Sequence, residues 1–215
     1  RIAMARPEEI LDTLVPAGAF SEEYLKSLVE MDGVHEIMEE LAKQAALRIT
    51  PDLHREVVDA GKLAPLEDHL DRMLYYDLLD VIEPTNNPER LLRDFVRREV
   101  DVTNLKVLLK LKAEHIPEDR IQKFLIPGGL EFGLDKLRSM AQGEGTEAII
   151  AELEKSSLFE DVKPAVERYR ADRRLSELTI ALDKALIGKS EKFANYYPMS
   201  VLPIVNYMIR KKVEV

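Results

Sequence analysis

The sequence contains no cysteine, an excess of acid over base and no long apolar run, and each shortage removes a class of function. Without cysteine, neither a disulfide framework nor a thiolate metal site can form, and a reducing compartment is the natural reading. Thirty-one Lys and Arg against 40 Asp and Glu leave a formal charge of −9, which argues against a general binder of phosphate backbones. No nucleic-acid partner is expected. The longest uncharged run, 193–209, is seventeen residues and holds Asn195, Pro198, Pro203 and Asn206. A spanning helix wants about 20 mostly apolar residues, so this run reads as a buried helix with its leading turn, and no transmembrane segment is expected. Residues 1–15 lack the apolar centre of a signal peptide. No alternating β-branched run is bounded by hairpin turn signals, so strands are missing too. What remains is 215 residues, 46% hydrophobic, enough for one large domain or two small ones.

Two short stretches stand out in this background: LVPAG at 14–18 and LIPGG at 125–129. Proline lacks an N–H and pushes the residue before it out of the α region, so Val15 and Ile126 should each end a helix. Glycine beyond it permits the turn, making Pro16 with Gly18, and Pro127 with Gly128 and Gly129, structural corners between helices. The match extends further. Pro7-Glu8-Glu9 recurs as Pro117-Glu118-Asp119 at an offset of 110, and the corners follow at 111. Leu25, Leu28, Ile37 and Leu41 map onto Leu137, Met140, Ile149 and Leu153 at 112, as do Leu70-Asp71-Arg72 and Leu74 onto Leu182-Asp183-Lys184 and Leu186. RREVDV from Arg97 then matches RKKVEV from Arg210 at 113. Matches that stay in order while the offset grows one residue at a time indicate a tandem duplication with small insertions. The repeats are expected at 1–111 and 112–215, the second truncated at its end. Both termini then fall mid-repeat, and the natural protein is expected to continue on both sides.

The elements read as helices. Asn87 as N-cap with Pro88 at the first position opens a helix carrying Leu92, Phe95, Val102, Leu105 and Leu109 on one face, reaching about Lys112. Leu66, Leu70, Met73, Leu74, Leu78 and Val81 mark the helix before it, and Thr50-Pro51 and Ile116-Pro117 open others. The expected fold is all-α: tandem repeats of antiparallel helices packed side by side.

Catalytic patterns are suggested and then fail. Gly188-Lys189-Ser190 resembles the tail of a phosphate-binding loop, but position 183 is Asp where that loop needs glycine, and the residues upstream are helical. A helix end at Gly188 is the plainer reading. His35 and Glu39 lie four apart, giving two ligands where zinc needs three or four, and His54, His69 and His115 complete no set. Acidic pairs such as Asp68 with Asp71, or Glu39 with Glu40, suit a solvated face better than a hydrolase. No cofactor, metal or catalytic site is expected. The basic cluster Arg168, Arg170, Arg173 and Arg174 has non-basic counterparts near Glu56, Val58, Gly61 and Lys62. A feature confined to one repeat is a candidate contact with a charged partner, against the plainer reading of a helix surface. The doubled tyrosines Tyr75-Tyr76 and Tyr196-Tyr197 read as packing with the hydroxyl reaching water.

RREVDVTNLKVLLKLK from Arg97, IPEDRIQKFLIPGG after it, and YYPMSVLPIVNYMIRKKVEV at the end carry a resemblance. They resemble the recurring blocks of the C-subunit family of A-type and V-type ATP synthases, whose counterpart in the vacuolar pump is the d subunit: an acidic-Asn helix with Glu99, Asp101 and Asn104, the corner, and a Pro-Met-Ser helix. The likeness covers the whole chain. It implies three helical repeats around a pseudo-threefold axis, a funnel of which this chain holds the later two. It further implies a non-catalytic central-stalk component on the cytoplasmic face of the membrane, a socket between the central-shaft subunits and the c-type proteolipid ring. Arg168, Arg170, Arg173 and Arg174 are the candidate shaft contacts. A helical-repeat scaffold for protein interaction and an all-helical enzyme are the competing readings.

Overall fold

The computed structural model describes residues 14–16 and 20–214, and every regular element among them is helical. Pro7, Glu8, Glu9 and Gly18 lie outside the described residues. The chain divides into two compact units, Arg1–Met73 and Leu74–Val215.

The first unit holds α1 (Glu22–Val29), α2 (Val34–Ala42), α3 (Pro51–Ala60) and the first half of α4 (Ala64–Val81). The Ser21 side chain accepts the Tyr24 N–H at 3.2 Å, and Glu22 and Glu23 sit at the positive end of α1. Thr50 accepts the Leu53 N–H at 3.2 Å, while Pro51 occupies the first turn of α3, where no N–H partner is needed. Gly61 ends α3 in the left-handed region, at φ 58°. Met38, Val57 and Leu66 form the small core, flanked by Leu41, Ile49, Leu53, Val58 and Leu70.

The second unit holds the rest of α4, then α5 (Asn87–Ala113), α6 (Glu118–Ile121), α7 (Leu134–Gln142), α8 (Glu147–Leu153), α9 (Phe159–Asp172), α10 (Leu175–Tyr196) and α11 (Leu202–Glu214). α10 packs against α5, α9 and α11. The 27 residues of α5 make a rod of about 40 Å. Its Phe95, Val100, Leu105, Leu108 and Leu109 join Phe132, Leu137, Ile150, Leu153, Leu178 and Leu182 in one core. At offsets of 112 and then 113, α1 to α5 fall in register with α7 to α11. The compact-unit boundary lies elsewhere, because α5 packs along its length with elements that follow it in the chain.

Four local expectations are corrected. The N-cap of α5 is Asn86, one residue before Asn87, because Glu89 stands three residues after Asn86 and the two close a reciprocal capping box. The helical segment before LIPGG stops at Phe124, since Leu125 is already extended with ψ 132°. Gly188 is interior to α10, since a mid-helix glycine costs only about 1 kcal/mol and burial of Leu182, Leu186, Ser190 and Ala194 carries the helix past it. The run 193–209 bends between α10 and α11, and α11 buries Leu202 while Ile204, Tyr207 and Met208 stay exposed.

Candidate functional site

The most constrained polar arrangement in the described chain is the junction between α5 and the corner at 125–129. Asp101 and Asn104 lie three positions apart, so they share a face of α5, and both are fully buried among Val100, Leu105 and Leu108. A buried polar group needs partners, and the corner supplies them from its backbone. One carboxylate oxygen of Asp101 accepts the N–H of Leu130 at 3.0 Å and of Glu131 at 2.9 Å, and the other accepts the N–H of Phe132 at 3.1 Å. The Asn104 carboxamide donates to the Ile126 carbonyl and accepts the Ile126 N–H, both at 2.8 Å. One turn before Asp101, Arg97 donates to the carbonyls of Gly128 at 3.3 Å and Gly129 at 2.9 Å. Three side chains of one helix thus hold both sides of a turn that has no secondary structure of its own.

The two glycines of LIPGG serve different needs. Gly128 has φ 100°, a conformation L side chains rarely adopt. Gly129 has no such φ, but a Cβ on it would fall 2.1 Å from an Asp101 carboxylate oxygen and 2.7 Å from the Phe132 carbonyl. It is glycine because the carboxylate occupies the space.

Burial pushes the Asp101 carboxyl above its usual range, against the pull of the N–H groups of Glu131, Phe132 and Leu130. Glu131 goes the other way: partial burial would raise it, but the Ser157 hydroxyl and amide together with Arg98 hold it below the usual range. Glu131 accepts from Arg98 at 3.0 Å and from the Ser157 amide at 2.9 Å, and so ties α5 and the corner to the start of α9. Lys106 spans from α5 to Asp183 of α10, at 2.8 Å to both oxygens. The Asp that spoils a phosphate-binding loop at 183 is therefore a structural ion-pair partner.

The arginine cluster is engaged within its own chain. Arg168 meets Glu177 at 2.9 Å, Arg170 meets Glu154 at 2.7 Å, Arg173 meets Glu147 at 2.7 Å, and Arg174 lies 3.7 Å from Asp172. Arg173 also lies over the Tyr169 ring and ends α9 with φ 59°, the conformation Gly61 adopts at the matching offset in α3. Gly128 and Gly129 meet Arg97 of α5 at the junction, while Pro127, like Pro16, is exposed. His35 lies 3.4 Å from Glu39, and His69 binds the Leu47 carbonyl at 2.8 Å. Glu40 holds Lys43 at 2.6 Å, and partial burial raises the Asp68 carboxyl against the pull of Arg72. Among the described residues no group of three His, Asp or Glu is placed to hold a metal ion. Tyr75 is buried and Tyr76 and Tyr196 are exposed.

Sequence reasoning places Asp101 and Asn104 in one block and the corner in another, and misses that they bind each other. The available signal is a carboxylate and a carboxamide at helical spacing inside an otherwise apolar face.

Comparison with known proteins gives a consistent set of relatives. A family model described as ATP synthase (C/AC39) subunit matches residues 2–215. The C subunit of the A-type ATP synthase of Archaeoglobus fulgidus is 33% identical over 216 residues, covering 100% of this chain and 59% of the relative. The corresponding protein of Methanococcoides burtonii is 30% identical, covering 98% and 57% respectively. That of Methanocaldococcus jannaschii is 29% identical, covering 97% and 52%. The chain thus spans between 52% and 59% of the length of these three relatives. No solved structure matches it significantly.

Proposed function

This chain belongs to the ATP synthase (C/AC39) subunit family, and from that premise we propose that it forms the body of a non-catalytic rotor subunit, a socket joining the central shaft to the membrane c-type ring. Residues 1–111 and 112–215 would be two of its helical repeats. The protein would sit on the cytoplasmic face of the membrane as a peripheral part of the complex. No described helix is long and apolar enough to cross a membrane.

One observation carries the reading: α5, about 40 Å long, is buried and pinned at mid-length by Arg97, Asp101 and Asn104 to the corner and by Lys106 to α10. A part that passes torque must resist shear between its helices. Apolar packing is dense but non-directional, so sliding along a helix axis is opposed most sharply by directional hydrogen bonds fixed at one register. Four polar side chains within three turns of α5 supply that register lock.

The shaft contact is placed at Arg168, Arg170, Arg173 and Arg174. Their partners Glu177, Glu154 and Glu147 are themselves about one-third exposed or more. Exposed pairs of this kind contribute about 0–1 kcal/mol, so an acidic shaft segment can exchange for them at little cost. Replacing Arg173 by glycine, which suits the left-handed φ, removes a charge without straining the fold. Titration of the full-length protein with Arg173→Gly and Arg170→Ala against its shaft subunits should show at least tenfold weaker binding, with the difference shrinking in high salt. Unchanged affinity would remove the arginines from the contact.

A further inference from the structure

The fold itself gives no reason for glycine at position 188. The residue lies in the interior of α10, where glycine is a poor helix former. Its φ is not positive, and a Cβ built on it would meet no atom within 4 Å. Gly128 is glycine for its φ and Gly129 for the space its neighbour fills; Gly188 answers to neither need. What glycine offers here is a bare stretch of helix that another group can approach closely.

The surroundings define that group. Gly188 lines a cleft of about 170 Å³ together with Asp161 of α9 and Lys184, Ala185, Lys189 and Lys192 of α10. Lys184 and Lys192 stand four residues before and four residues after Gly188, so the three share one face of the helix. Lys189 reaches Asp161 at 3.3 Å, whereas the exposed Lys184 and Lys192 meet no carboxylate among the described residues. Three ammonium groups less one carboxylate leave a charge of +2 around the cleft. Ser190 takes no part, because its hydroxyl is held by the Ile187 carbonyl at 2.9 Å and the Asn206 side chain at 2.7 Å.

We propose that this cleft binds a doubly charged phosphate group, seated over Gly188 between Lys184 and Lys192. A phosphate dianion balances the charge of +2, where a single carboxylate would balance half of it. The lysine ammonium is a compact charge whose three donors rotate to meet a tetrahedral anion. The site is not a nucleotide-binding loop: the N–H groups around Gly188 stay within the helix, so lysines alone make the contact and no catalysis follows from it. The group can be free phosphate or the headgroup of an anionic lipid. The proposal stands apart from the rotor reading, because it rests on the cleft alone.

Two probes separate the sources: calorimetric titration of the full-length protein with inorganic phosphate at constant ionic strength, and flotation with phosphatidylcholine vesicles that contain or lack phosphatidic acid. Saturable binding of inorganic phosphate identifies a free anion, and binding only to vesicles with phosphatidic acid identifies a lipid headgroup. Lys184→Gln or Lys192→Gln, each removing one charge-assisted hydrogen bond, should weaken either binding about tenfold. The decisive variant is Gly188→Gln, which keeps every charge, covers the bare stretch and is the better helix former. It should weaken binding as much as the lysine variants while raising the unfolding temperature, a pairing that a glycine required by the fold cannot give. Binding unchanged in Gly188→Gln would reduce the lysines to diffuse surface charge and overturn the proposal. So would a lowered unfolding temperature in that variant, or the absence of saturable binding to either probe.

Discussion

Asp101 concentrates the junction's energetics in one side chain, because three backbone N–H groups depend on it. Leaving a buried donor unsatisfied costs about 1–3 kcal/mol; with Leu130 and Glu131 near solvent, Asp101→Ala should cost about 3 kcal/mol or more, seen as a lower denaturant midpoint. Gly129→Ala should destabilise comparably by expelling the carboxylate, although the backbone there is unstrained. Glu131 gives a pH signature. Its folded-state pKa is lowered, so its contribution is present above its unfolded value, about 4.3, and is lost as pH falls through the depressed folded value. Asp101 acts in the opposite sense: its raised pKa stabilises below the unfolded value and loses that contribution as pH rises through the folded one. Glu131→Gln should therefore flatten the acid limb of the stability profile, measured by urea unfolding from about pH 5 to about pH 3. An unchanged acid limb would mean that the Arg98 and Ser157 contacts do not form in solution.

The helices illustrate what local signals can and cannot fix. Thr50-Pro51 opens α3 where the residue types require it, and the apolar spacing from Leu66 to Val81 falls within α4. Asn86 and Asn87 are both good caps, and the choice between them depends on which one has Glu89 at the third position. Gly188 reads as a stop because propensity is local, while the burial that carries α10 through it is tertiary. The uncharged run at 193–209 reads as buried because apolar content does not say whether a neighbour covers it, and α11 has a packing partner in α10 on one side. The Asp101 and Asn104 junction is hidden for a related reason: its two halves are 22 to 31 residues apart and meet only in the folded chain. At this scale the lock predicts slow hydrogen exchange for the amides of Ile126, Leu130, Glu131 and Phe132, comparable to the middle of α5. Exchange as fast as in an open loop would show that the corner is not held. Asn86→Ala, by contrast, should cost only about 1 kcal/mol, with fraying confined to the first turn of α5.

For the whole molecule, the offset between matching stretches drifts slowly from 110 to 113, and at offsets of 112 and then 113 α1 to α5 fall in the same order as α7 to α11. The compact units do not follow that offset, because α5 packs with elements that come after it in the chain. The proposed socket role draws on that packing: were 1–111 and 112–215 two repeats, α5 with its polar register lock would pass strain applied to one on to the other. The measurement that tests this role most directly is native mass spectrometry of the full-length protein mixed with its central-shaft subunits and the detergent-solubilised c-type ring. The account predicts a one-to-one complex with the shaft that also retains the ring. A protein that associates with neither would contradict the socket assignment.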